Sequence, residues 1–146
     1  MGRVKAEIQL AGVATSDAEE LWYDTRRWPT FVGGFSHVVE QTPDWPEPGS
    51  KVIWQSTPAG RGRVTERVLE RTDDMFVTQV FEERLAGTQS LYFTVDEVVM
   101  RLEYELTQGG PLRRLTDVLF IRRALTDSLR HTLRRFSTEA EAEASL

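Results

Sequence analysis

A run of apolar residues near the C-terminal end sets the terms for everything before it. Leu115, Val118, Leu119, Arg122, Leu125, Leu129, Leu133 and Phe136 recur at spacings of three and four. That is one stripe of an α-helix, about 100° or more wide. Pro111 suits a first helical turn, and Gly109-Gly110 before it reads as a hinge. From Pro111 to Phe136 such a helix makes about seven turns and spans roughly 38 Å. A stripe of that length needs a long apolar partner. The segments preceding it read as strands, so the expected architecture is α+β, a bent antiparallel sheet wrapped over one long C-terminal helix.

The strands are read from alternation. Val4, Ala6, Ile8 and Leu10 share one parity, opposite Lys5, Glu7 and Gln9, which is a half-buried strand. Thr15 or Ser16 is placed to cap a helix, Ser16 with Glu19 fitting a capping box, and Ala18, Leu21, Trp22 and Thr25 mark the inner side. Pro29 restricts the residue before it, so that helix is expected to stop at Trp28. A further short turn over Pro29 to Val32 ends at Gly33-Gly34. Strands are then expected at Phe35–Thr42, Lys51–Thr57, from Gly62 to about Glu70, and at Met75–Leu85. Two more follow, Ser90–Val95 and Val98–Leu106, with turns at Ala86-Gly87 and Asp96-Glu97. Short turns favour a meander, because parallel crossovers need a dozen residues or more. Gly60-Arg61-Gly62-Arg63 lacks the ending and setting of a phosphate loop and reads as a turn or a bulge.

Composition narrows the class. One domain is expected over residues 1–137 of the 146, with an acidic tail over 138–146 that frays or is disordered. The net charge of -5 argues against a general nucleic-acid binder, so no specific nucleic acid is expected. Without cysteine there is no disulfide and no thiol nucleophile. No apolar run is long enough for a transmembrane segment, and no signal peptide is read at the N-terminus, so a cytoplasmic location is expected. Monomer and homodimer are both open.

Several dispersed features carry a family resemblance. They are the strand Val4–Leu10, Ala18-Glu19-Glu20-Leu21-Trp22, Trp28-Pro29-x-Phe31, Val38-Val39-Glu40, the strand ending Tyr104-Glu105-Leu106 and the basic-apolar terminal helix. With them, residues 3 to 137 resemble the START-like (SRPBCC) superfamily, in particular its polyketide cyclase/dehydrase and lipid-transport proteins. The resemblance implies a helix-grip fold: a curved seven-stranded antiparallel sheet gripping the C-terminal helix, with two short helices after the first strand and an apolar cavity between the layers. It also implies binding of lipids, sterols, polyketides or other apolar molecules, with cyclisation or dehydration in some members. No motif here matches a cyclase catalytic residue one-to-one.

Candidate site residues follow from position. Arg122 falls between Val118 and Leu125 inside the stripe; a buried guanidinium there needs acceptors, on a ligand or on a sheet carboxylate, unless it snorkels out of the groove to solvent. Trp22, Trp28, Phe31 and Phe35 cluster around the early helices, as rings at a pocket mouth or as ordinary core. Trp54, Met100 and Tyr104 are further cavity-wall residues, Tyr104 with a hydroxyl to offer. His37 shares parity with Phe35 and Val39, as a base or as a structural hydrogen-bond donor. Glu66 shares parity with Val64 and Val68; inward, it would be a proton-transfer residue or half of a pair with Arg122. The histidines, His37 and His131, are too far apart to suggest a metal, and no cofactor is implied. The arginines of the terminal helix read as a solvated flank. The expected function is binding, transport or sequestration of a small hydrophobic molecule. The alternatives are a cyclase or dehydratase acting on a bound polyketide, and a protein-interaction module without a ligand.

Overall fold

The computed structural model describes residues 3–58, 62–82, 85–93, 99–109 and 115–146, with 85, 99–109 and 115–122 described by their backbone. Strand β1 (Arg3–Gln9) leads into α1 (Thr15–Tyr23), a 3₁₀ turn (Thr25–Arg27) and α2 (Trp28–Phe31). Then come β2 (Phe35–Gln41), β3 (Lys51–Ser56), β4 (Arg63–Arg71), β5 (Met75–Phe81), β6 (Leu85–Phe93) and β7 (Val99–Gly109). Helix α3 (Leu115–Ala144) closes the order.

All seven strands join one antiparallel sheet in the order β1-β7-β6-β5-β4-β3-β2. From β2 to β7 each strand pairs with the next in sequence, which is the expected meander. The alternation in the sequence decides which face is covered. Val52 and Trp54 of β3, Val64, Glu66 and Val68 of β4, and Phe76, Thr78 and Val80 of β5 are buried, while their neighbours in the chain are partly or fully exposed. That inner face and the three helices form one apolar core.

The expected curved wrap around α3 is not what the chain forms. The sheet is open: β1 and β2 are its two edges and do not pair with one another. Helix α3 lies nearest β1 on one side and α2 on the other. Alternation tells which side chains face inward, but the curl of a sheet depends on twist and bulges that period alone does not encode.

Local boundaries differ for identifiable reasons. Ala14 is the N-cap of α1 and makes no side-chain cap bond, so Thr15 and Ser16 stand inside the helix rather than capping it. Pro29 is tolerated because it sits in the first turn of α2, where its missing N–H costs nothing. Residues 86–87, expected as a turn, lie within β6; Gly87 is buried and paired with Val80 and Leu106. Residues 138–144, expected to fray, continue α3, with Ala140 buried on the same stripe as Leu133 and Phe136. Contacts from distant residues hold these turns. Arg27 donates to Glu139 Oε2 at 2.9 Å and Glu143 Oε1 at 3.0 Å, and the Ala11 N–H donates to Glu141 Oε1 at 3.0 Å.

Candidate functional site

The inner face of the sheet carries one buried carboxylate among the described residues, on Glu66. Its position follows from the β4 alternation, which places it between Val64 and Val68 and opposite Val52 and Val80 in the ladder. A desolvated carboxylate needs donors. Trp54 Nε1 donates to Glu66 Oε2 at 2.7 Å, and Thr78 Oγ1 donates to Oε1 at 3.4 Å. Trp54 is itself buried and its ring lies 5.4 Å from that of Phe35. The indole therefore fixes the carboxylate, while the aromatic cluster fixes the indole.

Glu66 and Trp54 line an internal cavity of about 30 Å³ together with Gln89 of β6, Trp22 of α1, Trp28 and the Val32-Gly33 corner after α2. Ser128, Leu129 and Thr132 of α3 form the opposite wall. That volume has room for about one or two waters, whereas ordinary ligand sites measure about 300–1,000 Å³. Rings take up the neighbouring space. Trp22, Phe31 and Phe136 pack against one another at centroid distances of 5.0 to 5.6 Å, and Trp28 packs edge-on against Phe35 and Trp45. Trp28 Nε1 is satisfied by the Trp22 carbonyl at 2.8 Å.

A larger depression, about 340 Å³, lies outside the core between α1 and the last turns of α3. Val13, Leu21 and Ala140 form its floor, and Asp17, Glu20, Asp24 and Glu143 stand around it with Arg27. The Arg26 guanidinium, hydrogen-bonded to Asp24, holds that carboxyl below the usual aspartate range. The depression is polar and open, and it is not the apolar hollow expected from the sequence. Among the described residues, no group of His, Asp and Glu side chains is placed to hold a metal ion, and no helix is long and apolar enough to cross a membrane.

No family model matches the sequence, and no curated protein matches it significantly. Solved structures do. The di-domain ARO/CYC StfQ from the steffimycin biosynthetic pathway aligns with 99% of this chain at a TM-score of 0.78 and 18% identity. This chain spans about half the length of StfQ, 52% of it. A START superfamily protein from Mycobacterium smegmatis aligns over 97% of this chain and 98% of its own, with a TM-score of 0.73 and 9% identity. The chain has the START-like fold. Norcoclaurine synthase from Thalictrum flavum, solved in complex with dopamine and hydroxybenzaldehyde, aligns over 94% of this chain and 84% of its own, with a TM-score of 0.68 and 13% identity.

Within this START-like fold the residues singled out from the sequence separate into three groups. Trp22, Trp28, Trp54 and Glu66 come together at the internal cavity. Phe31, Phe35 and Leu125 pack in or against the core, and Phe31 is shielded by Trp22 and Phe136. The side chains of Met100, Tyr104, Val118 and Arg122 lie outside the described residues; the Tyr104 backbone stands opposite Gln89 and Val4 in the ladder. His37 corrects the parity argument. Register shifts at Phe35/His37 and Val38/Glu40 interrupt the β2 alternation, and His37 is exposed, its Nδ1 3.0 Å from Ser36 Oγ.

Gln89, Ser128, Thr132 and Gly33 were not apparent from the sequence. Gln89 falls one residue before the expected start of its strand. Ser128 and Thr132 are four apart, which on a helix puts them on one face. That spacing, beside the Leu125–Leu129–Leu133 stripe, was the available signal for a polar flank on the cavity.

Proposed function

We propose that this chain binds a small, largely apolar molecule between the sheet and the helices, with Glu66 accepting a hydrogen bond from the molecule's polar group. The observation that carries the proposal is a buried carboxylate that lines a cavity together with three indoles. The site sets the carboxylate among indoles and Leu129, with Gln89, Ser128 and Thr132 as further polar groups, and a few placed polar groups beside apolar ones are usual in a small-molecule pocket. The 30 Å³ present takes only the polar end of such a molecule. The apolar remainder would have to part the surrounding rings. The fold it shares with StfQ and with norcoclaurine synthase, the latter solved with two small aromatic compounds, supports this reading.

The test is a titration with naphthol, which is apolar and carries one hydroxyl donor, followed by the emission of the buried tryptophans. Quenching that saturates is the expected result. In Glu66→Gln the affinity should fall by roughly ten- to a hundredfold, the worth of a hydrogen bond to a charged acceptor. Unchanged emission in the wild type, together with native mass spectra of freshly purified protein showing no retained molecule, would overturn the proposal.

A second reading is an enzyme of the cyclase or dehydratase type, with Glu66 moving a proton on the bound molecule. It is favoured by the same carboxylate, since proton transfer needs a group within about 3 Å of the reacting atom. Turnover of an aromatic or polyketide substrate, lost in Glu66→Gln while binding of a product analogue persists, would separate it from carriage alone.

A further inference from the structure

The cavity wall on the helix side is a seam between two elements. On one side is the corner Val32-Gly33-Gly34 that follows α2. On the other are Ser128 and Thr132, one turn apart on α3. The Gly33 N–H donates to Thr132 Oγ1 at 3.0 Å across this seam. The α3 hydroxyls reach the Gly33 backbone so closely that a Cβ at residue 33 would lie 3.4 Å from both Ser128 Oγ and Thr132 Oγ1.

The rest of α2 is anchored differently. Phe31 is completely buried, with its ring 5.6 Å from Trp22 and 5.0 Å from Phe136, and Trp28 is nearly so. Pulling those rings from the core costs far more than breaking one neutral hydrogen bond. After the seam the chain is held again, by the Thr57 N–H donating to the Gly34 carbonyl at 2.8 Å. Gly34 itself sits at φ +73°, in the left-handed region that glycine enters without strain. The corner is thus a short strap between two fixed points, closed on α3, among the described residues, by the hydrogen bond from the Gly33 N–H to the Thr132 hydroxyl, and containing two residues without side chains.

Given a ligand at Glu66, as proposed for this chain, the geometry points to the Gly33 corner as its gate: the molecule enters and leaves between Gly33 and the Ser128–Thr132 turn of α3, with Thr132 as the latch. Opening requires a local change at Val32–Gly34 while the ring anchors of α2 stay in place. Motion confined to a few backbone dihedrals next to a tight glycine is the usual form of such a hinge.

The chain has no cysteine, so a pair introduced across the seam has no competing thiol. A Cβ at residue 33 would lie 3.4 Å from Ser128 Oγ, the place a cysteine sulfur would take, so thiols at 33 and 128 fall within reach of one another. The experiment follows naphthol uptake by stopped-flow tryptophan quenching in G33C/S128C, oxidised and then reduced. The expected result is no uptake by the oxidised pair over the time in which the wild type saturates, with uptake restored on reduction. Thr132→Val, which removes the latch acceptor without adding bulk, is expected to speed uptake roughly two- to tenfold, the worth of one neutral hydrogen bond. Uptake by the oxidised pair at the wild-type rate overturns the gate while leaving the binding site standing. Should the reduced pair also fail to take up naphthol, Thr132→Val decides, and an unchanged rate there overturns the gate. A wild type that takes up no naphthol overturns both the gate and the site.

Discussion

Replacing Phe136 by alanine tests how α3 is held. The ring is completely buried and meets Trp22 edge-on at 5.4 Å and 64°, and Phe31 edge-on at 5.0 Å and 86°. Removing a buried phenylalanine side chain costs about 3–5 kcal/mol, because the transfer energy is lost and a cavity remains. Two aromatic pairs, each worth about 0.5–1.5 kcal/mol beyond their area, place this site near the upper end of that range. Since a domain of this kind is stable by about 5–15 kcal/mol, Phe136→Ala removes a third or more of the total. In urea, with a slope of about 1–3 kcal/mol per M, the midpoint should fall by about 2 M with the slope unchanged. The assay is an equilibrium urea titration read both by tryptophan emission, to which Trp22 contributes, and by circular dichroism. Phe81→Ala serves as the comparison, because Phe81 is 43% exposed and its loss should stay within about 0.5 kcal/mol. A loss below about 1.5 kcal/mol at Phe136, well under the range for core rings, would refute the packing of α3 against α1 and α2. So would the absence of coupling between Phe136→Leu and Phe31→Leu in a double-mutant cycle.

Two further outcomes are expected. Arg27→Ala should cost about 1 kcal/mol, because the side chains of its two ion pairs are 32% to 48% exposed and such pairs are individually weak. The loss should shrink in high salt and be accompanied by reduced helical signal from the last turns of α3. The Glu19 carboxyl is pushed above its ordinary range, first by burial and then by the nearby Asp73, with Arg71 opposing. A carboxyl raised in the folded state favours folding when protonated, and that contribution disappears as pH rises through its folded value. Glu19→Gln should therefore stabilise the chain slightly at neutral pH, by less than about 1 kcal/mol. In thermal melts the gain should fade as pH drops through the raised value towards the ordinary glutamate range.

Much of this arrangement could be read in the sequence, and the physical reasons for the remainder are specific. The 3.6-residue period placed Leu125, Leu129, Leu133 and Phe136 on the buried side of α3, where they are found. Alternation put Glu66 on one face with Val64 and Val68, which is the buried one, and short turns implied the meander. Periodicity did not convey the open sheet, because faces and curvature are separate properties. It also failed on β2, where two register shifts turn His37 outward. Glycine misled at Gly87, which fits within a ladder that composition marked as a turn. The acidic end of the chain looked unsupported locally because its partners, Arg27 and the Ala11 N–H, are more than a hundred residues away. The candidate site shows the same division. Of its sheet half, Trp54 and Glu66 were singled out and Gln89 was not, while its helix half depends on which turn of α3 meets Gly33.

The placement of β1 bears on how the chain comes together in time. Arg3 faces Glu105 and Gln9 faces Val99, so the first strand finds no partner until the last one exists. Hairpins from β2 onward join neighbours in sequence and can zip as they emerge, whereas β1 must wait across a long loop whose closure is entropically slow. Until α3 follows, the part of the core that Leu125, Leu129, Leu133 and Phe136 complete lies bare. A nascent chain stalled before Leu115 is therefore expected to be captured by apolar-binding chaperones, and one released with α3 complete to escape them.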